Sequence, residues 1–255
     1  MRKLDRPRGW GFVIGAGILK PLLYATTKRR WLDGTKIPAT GGCVVVVNHM
    51  THVDPLTTAH FVYDHGRLPR YLAKAGLFDV RVLGTFLRGV GQIPVARLTN
   101  EAAGAYDAAV AAVEAGECVV IYPEGTITRD PELWPMTGKT GAARIALATG
   151  CPVIPVAHWG AQQLLAPYAK RPSLFPRKLV TYQVGDPIQL DDLRAKPISP
   201  EVIHQATDRI MDAITELLAG LRGEEPPAVR FDPRARGVKE IGNPHTDDEK
   251  GGNRR

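Results

Sequence analysis

The chain has 255 residues, of which 44% are hydrophobic and 23% charged, and it carries a net charge of +7. That suits one sizeable globular core with appendages, and excludes a disordered, collagenous or disulfide-built chain. The charge excess lies in residues 1–36, where nine Lys and Arg stand against two acids. That segment is also apolar and the remainder is balanced, which argues against a nucleic-acid-binding domain.

Residues 1–36 read as a basic amphipathic arm. The run from Trp10 to Tyr24 is interrupted by Lys20, and Pro21 closes one short helix and opens another. The apolar run is far shorter than the ~20 residues that span a bilayer. Two short helices lying in a membrane interface, with basic residues toward anionic headgroups, fit it better than a signal peptide or a hairpin packed on the domain.

Residues 37–221 alternate strand-like and helix-like stretches. Val44 to Val47 is a β-branched run of a strand buried on both faces. A helix follows from Pro55 to Asp64, then a short strand over Leu68–Ala73 and a helix over Asp79–Arg88. Gly91–Arg97 reads as a short strand or edge, Asn100–Ala115 as a helix and Cys118–Tyr122 as a second buried strand. A helix over Lys139–Thr149, strands over Val153–Ala157 and Leu179–Val184, and a long amphipathic helix over Pro200–Leu221 complete the domain. The pattern predicts an α/β fold with a mostly parallel mixed sheet flanked by helices. Residues 222–255 are rich in Gly, Pro and mixed charge and read as a disordered tail without a catalytic role. Cys43, Cys118 and Cys151 adjoin apolar runs without metal-type spacing, as buried thiols in a reducing compartment do. Gly138-Lys139-Thr140 resembles the end of a phosphate-binding loop, but Leu133 stands where that motif needs its first glycine.

The first buried strand runs into Asn48-His49-Met50-Thr51-His52-Val53-Asp54-Pro55. A strand-to-helix turn of this length can bring the Asp54 carboxylate to one imidazole nitrogen of His49, leaving the other free to accept a proton. No Gly-x-Ser-x-Gly elbow occurs, so the substrate supplies the nucleophile. His49, His52 and Asp54 also offer three metal ligands, so a metal-dependent hydrolase is the alternative from another class. The second buried strand runs into Glu124, Gly125 and Thr126. With Arg97, Lys74 and Lys139, these surround a carboxylate-backed base with cations, a setting for a phosphate-bearing alcohol.

At these residues the chain resembles the glycerolipid acyltransferase family, which includes the 1-acylglycerol-3-phosphate acyltransferases. Asn48-His49-x-Thr51-x-x-Asp54 is similar to its first block with Thr for Ser, and Ala73-Lys74 to its Ala-Lys segment. Gly91-x-Ile93-Pro94-Val95-x-Arg97, Tyr122-Pro123-Glu124-Gly125-Thr126 and Val153-Ile154-Pro155-Val156-Ala157 correspond to the later blocks. The resemblance implies that His49, oriented by Asp54, deprotonates an acceptor hydroxyl that attacks an acyl thioester. It implies that Arg97 and Lys74 hold the acceptor phosphate, that Glu124 shapes the acceptor pocket, and that the Gly125 and Thr126 amides stabilise the oxyanion. The donor would be acyl-CoA or acyl-carrier protein and the acceptor lysophosphatidate-like, with no cofactor and no metal, at the cytoplasmic face of the cell membrane. Glycerol-3-phosphate, a lysophospholipid or a glycolipid remain alternative acceptors. Where the family continues its third block with Arg-Ser, this chain has Ile127-Thr128, so either Arg129 or Lys139 would compensate or the acceptor is not a simple glycerol phosphate.

Overall fold

The computed structural model describes residues 1–95, 101–239 and 243. Seven strands form one sheet in the order β1-β7-β6-β2-β5-β3-β4. They are β1 (Thr27–Leu32), β2 (Cys43–Val47), β3 (Pro69–Lys74), β4 (Ile93–Val95), β5 (Cys118–Ile121), β6 (Val153–Trp159) and β7 (Lys178–Val184). All neighbours are parallel except β6 and β7. The mostly parallel mixed sheet expected from the sequence is therefore present.

The central strands are apolar on both faces because helices cover both. Val44 and Val46 of β2 and Val119 and Ile121 of β5 point into one core, with Ala109 and Val113 of α4 (Glu101–Glu114), Ile145 of α5 (Gly141–Thr149) and Ile210 and Ile214 of α7 (Pro200–Arg222). Val45 and Val47 point the other way, onto Phe61 and Val62 of α2 (Asp54–Asp64) and Tyr182 of β7. Each fully buried valine contributes roughly 1.5–3 kcal/mol, so the strands that aim the site are firmly held. The remaining helices are α1 (Trp10–Thr26), α3 (Arg81–Gly89) and the short α6 (Asp191–Arg194).

Two parts of the chain differ from the sequence expectation. The N-terminal arm holds one 17-residue helix rather than two, with Pro21 inside it. The carbonyl that Pro21 leaves without a donor belongs to Gly17, on the exposed face of α1, so the helix continues past the proline. The arm then enters the sheet: β1 pairs parallel with β7 from Thr27↔Lys178 to Leu32↔Gln183. Several of its cations bind the domain itself. Lys20 meets Asp64 at 2.7 Å and Arg6 meets Glu117 at 3.0 Å, while Arg2 donates to the Ile37 carbonyl at 2.7 Å.

The second difference is at the carboxyl end. Part of residues 223–239, expected to be a disordered tail, is anchored on the domain. Phe231 is buried, its carbonyl accepts the Thr137 amide at 3.0 Å, and Arg230 pairs with Asp212. One aromatic anchor and its ion pair hold a segment whose average composition is that of a loop.

Candidate active site

β2 ends at Val47, and Asn48 replaces the backbone pairing that the next residues abandon. Its Oδ1 accepts the His158 amide at 2.9 Å and its Nδ2 donates to the His158 carbonyl at 3.1 Å. A side-chain amide suits this position because it supplies one donor and one acceptor. The chain can then turn at His49 without leaving β6 unbonded.

Three contacts fix His49. Its amide donates to Glu124 Oε1 at 2.9 Å, its carbonyl accepts the Thr128 amide at 2.8 Å, and its ring stacks on Tyr122 with centroids 4.3 Å apart. Nδ1 lies 2.9 Å from Asp54 Oδ2. That carboxylate can only accept, so Nδ1 carries the proton and Nε2 presents a lone pair. The imidazole keeps 14% of its side-chain surface exposed, whereas Asp54 is fully buried.

Asp54 is the first residue of α2, with Pro55 behind it. Its Oδ2 also accepts the amides of Met50 at 2.6 Å and Thr51 at 2.8 Å, so the carboxylate closes its own turn. Burial alone would push its carboxyl up. His158 and His49 outweigh that and hold it well below the usual carboxylate range. Asp54 is therefore a fixed negative charge beside the base.

Glu124 is fully buried at the end of β5. Oε1 holds His49 and Oε2 accepts the Met136 amide at 3.1 Å. Burial raises its carboxyl to about 8, and the two amides offset this only in part. Gly125 adopts φ +72°, a left-handed turn in which its amide donates to the Tyr122 carbonyl at 2.9 Å. That amide closes the turn, while the Thr126 amide donates to no acceptor among the described residues. Lys139 lines a cavity of about 440 Å³, with Glu124, His204, Asp232 and Arg234.

His49, Asp54 and Glu124 thus meet at the carboxyl edge of β2 and β5, with Gly125 and Thr126 beside them. Lys74 is exposed at the end of β3. Arg97 lies outside the described residues. His52 is exposed with its ring edge-on to Tyr168 at 5.8 Å, and among the described residues no group of three or more His, Cys, Asp or Glu is placed to hold a metal. Ile127 is buried, and Arg129 donates to Tyr168 Oη and to the Lys239 carbonyl at 3.1 Å. The residue that sequence reasoning passed over is His158. Its Nε2 reaches within 3.5 Å of Asp54 Oδ2. No local motif marks it, because the contact is made across 104 residues of chain.

A mostly parallel α/β sheet here presents a carboxylate-backed histidine at its carboxyl edge, an arrangement suited to a general base. The chain belongs to the Acyltransferase family, which it matches over residues 30–159. It is 28% identical over 205 residues to a 1-acyl-sn-glycerol-3-phosphate acyltransferase of Bacillus subtilis (strain 168), covering 79% of this chain and 94% of that protein. It is 30% identical over 124 residues to the chloroplastic 1-acyl-sn-glycerol-3-phosphate acyltransferase BAT2 of Brassica napus, covering 48% of this chain and 34% of that protein. The chain therefore spans about a third of the length of the plant relative. Its fold is that of the 1-acyl-sn-glycerophosphate (LPA) acyltransferase PlsC from Thermotoga maritima, with a TM-score of 0.60 at 19% identity over 84% of this chain and 83% of that one.

Proposed function

We propose that this chain transfers a fatty acyl group from acyl-CoA or acyl-carrier protein to the free hydroxyl of a lysophosphatidate-like acceptor in phospholipid synthesis. The observation that carries the reading is the 2.9 Å contact between His49 Nδ1 and a buried, ionised Asp54. His49 Nε2 takes the acceptor's hydroxyl proton as that oxygen bonds to the thioester carbonyl carbon. The tetrahedral oxyanion lies near the Thr126 amide. Its collapse breaks the C–S bond, and the leaving thiolate takes the proton from the His49 imidazolium. Asp54 stabilises the imidazolium while it exists. No acyl-enzyme and no cofactor enters this sequence.

The match of the chain to relatives named as 1-acyl-sn-glycerol-3-phosphate acyltransferases supports this acceptor. Lys74, Arg97 and Lys139 are the cations offered for its phosphate. A different acceptor of the same chemistry is favoured by one observation: Ile127 is 2% exposed where the family places an arginine, so that position supplies no charge. A panel of lysophosphatidate, glycerol-3-phosphate and a lysophospholipid, each with one labelled acyl-CoA, separates these acceptors. We expect lysophosphatidate to be acylated and His49→Ala to lose about 10³-fold in kcat/KM. Transfer that survives His49→Ala within tenfold overturns the mechanism.

The same reading places the enzyme peripherally on the cytoplasmic face of a membrane with anionic lipid. No helix among the described residues is long and apolar enough to cross a bilayer. Trp10, Val13, Ile14, Ile18 and Leu22 are exposed along one side of α1 at helical spacing. Val80, Val82 and Leu83 are exposed at the start of α3, against which α1 packs through Gly11 and Gly15. Such surfaces favour burial at the boundary of headgroups and acyl chains.

A further inference from the structure

His158 lies on β6 with its side chain fully buried. Its Nε2 stands 3.0 Å from the Asn48 carbonyl, which can only accept, so Nε2 carries a proton. The same Nε2–H faces Asp54 Oδ2 at 3.5 Å, an electrostatic contact longer than a normal hydrogen bond. Asp54 Oδ2 therefore lies between two imidazoles, His49 Nδ1 on the open side and His158 Nε2 on the buried side. Tyr182 of β7 fixes the second ring from behind by stacking, with centroids 5.0 Å apart and planes 18° apart. The Tyr182 hydroxyl is in turn held by Thr57 and Thr58 of α2, each at 2.8 Å. Among the described residues the titratable groups facing His158 are thus Asp54 on α2, Tyr182 on β7 and, through Asp54, His49.

We propose that His158 is a positioning residue for the base: its Nε2–H, directed at the Asn48 carbonyl and facing the Asp54 carboxylate, draws charge from that carboxylate, which limits the basicity of His49. The reasoning is electrostatic. A carboxylate stabilises the His49 imidazolium in proportion to the charge it presents to Nδ1. Each further donor on Oδ2 lowers that charge, and a buried donor acts through little screening. Met50 and Thr51 contribute backbone donors that no side-chain substitution removes. Among the described residues, His158 contributes the one buried side-chain N–H that faces Oδ2 opposite His49, so it is the position at which sequence can adjust the base. Removing it leaves more negative charge on the Asp54 oxygen that faces His49 Nδ1 and raises the proton affinity of Nε2. The sign is the same whether His158 is neutral or charged.

This proposal rests on the acyl-transfer reading for its kinetic consequence, but its direct test needs no substrate. The His49 ring is titrated by NMR in histidine-labelled full-length protein and identified by its loss in His49→Ala. His158→Phe and His158→Leu remove the donor, and His158→Gln keeps an N–H. The two donorless variants are expected to raise the His49 midpoint by roughly half a pH unit or more. The acid limb of kcat/KM should move up by the same amount, and His158→Gln should shift by less than half as much. An unchanged or lowered midpoint in folded Phe and Leu variants overturns the proposal, as does a Gln variant that shifts as far as Phe. A chain inactive on every acceptor would defeat the functional reading and leave the NMR titration interpretable.

Discussion

The side chain of Glu124 grips the main chain of His49: Oε1 accepts its amide at 2.9 Å while Oε2 accepts the Met136 amide at 3.1 Å. Glu124 therefore acts on the base through the backbone, and it joins the turn after β5 to the turn after β2. Its carboxyl is raised to about 8 from an ordinary 4.5, so the folded protein holds a proton that the unfolded chain releases. A raised value stabilises fully below about 4.5, and that stability is lost as pH rises through about 8. Denaturant unfolding from pH 5 to pH 8.5 should show wild-type stability falling with pH. In Glu124→Gln, which cannot ionise, the slope should be shallower. Equal slopes in the two proteins would show that Glu124 is ionised throughout.

Asp54 has the opposite linkage. It and Asp64 both lie well below the ordinary carboxylate value, although burial by itself would raise each. For Asp54 the opposing partners are His158 and His49, and for Asp64 they are His60 and Lys20. A depressed value stabilises above the unfolded value and is lost as pH falls, so acid unfolding should begin below about pH 4. Asp54→Asn keeps the shape and removes the charge, leaving a neutral amide oxygen to accept from His49 Nδ1 and the Met50 and Thr51 amides. We expect kcat to fall roughly 10³-fold with a small change in KM, because the charge matters most when His49 is protonated. A loss confined to KM would instead assign Asp54 to substrate binding.

Asn48 supplies a donor and an acceptor to the backbone of one buried residue, so Ala at this position leaves an N–H and a C=O of His158 without partners. Each costs about 1–3 kcal/mol when buried. Asn48→Ala should therefore lower stability by about 2–4 kcal/mol in chemical denaturation. Asn48→Asp keeps the acceptor but sets an oxygen against the His158 carbonyl. Its stability should fall further as pH rises above the carboxylate range, a dependence absent from Asn48→Ala. If Asn48→Asp matches wild type at pH 7, the paired geometry at His158 is not what the position requires.

Much of the site was legible because its parts are close in sequence. The turn from His49 to Asp54 is a local object: a β-branched strand, a histidine, and an aspartate with Pro55 behind it. The sheet was legible for the same reason, through its runs of valine. What escaped was set by contacts between distant segments. β1 reads as Thr-Lys-Arg-Arg-Trp-Leu, an unlikely strand by hydrophobic pattern. Yet Arg29 lies over the Tyr24 ring at 3.7 Å and Trp31 packs edge-on to Phe61 and Tyr182, so its inward side is well covered. Lysine and arginine on its outward side suit the exposed edge of a sheet. Pro21 was a fair signal of a break, and the exposed face of α1 absorbed it. Phe231 and the ion pair of Arg230 with Asp212 tie part of a loop-like tail to the domain. His158 reaches Asp54 only because β6 lies beside β2, a neighbour relation that composition does not disclose.

The apolar stripe on α1 gives the last prediction. Ile18 is 69% exposed on α1 and Val82 is 82% exposed on α3, and neither exposure serves the stability of a protein surrounded by water. Burying one such side chain in a lipid interface contributes about 1.5–3 kcal/mol. Ile18→Asp should therefore weaken binding to vesicles of anionic and zwitterionic lipid by at least tenfold in a sedimentation assay, and Val82→Asp should do the same. The unfolding midpoint of each variant should stay near that of wild type, since the replaced side chain has few protein neighbours. Salt distinguishes the two contributions. High salt should reduce binding of the wild type without abolishing it, because Lys20, Arg6 and Arg2 already have partners within the protein. Complete release by salt, or unchanged binding in both variants, would remove these helices from the membrane contact.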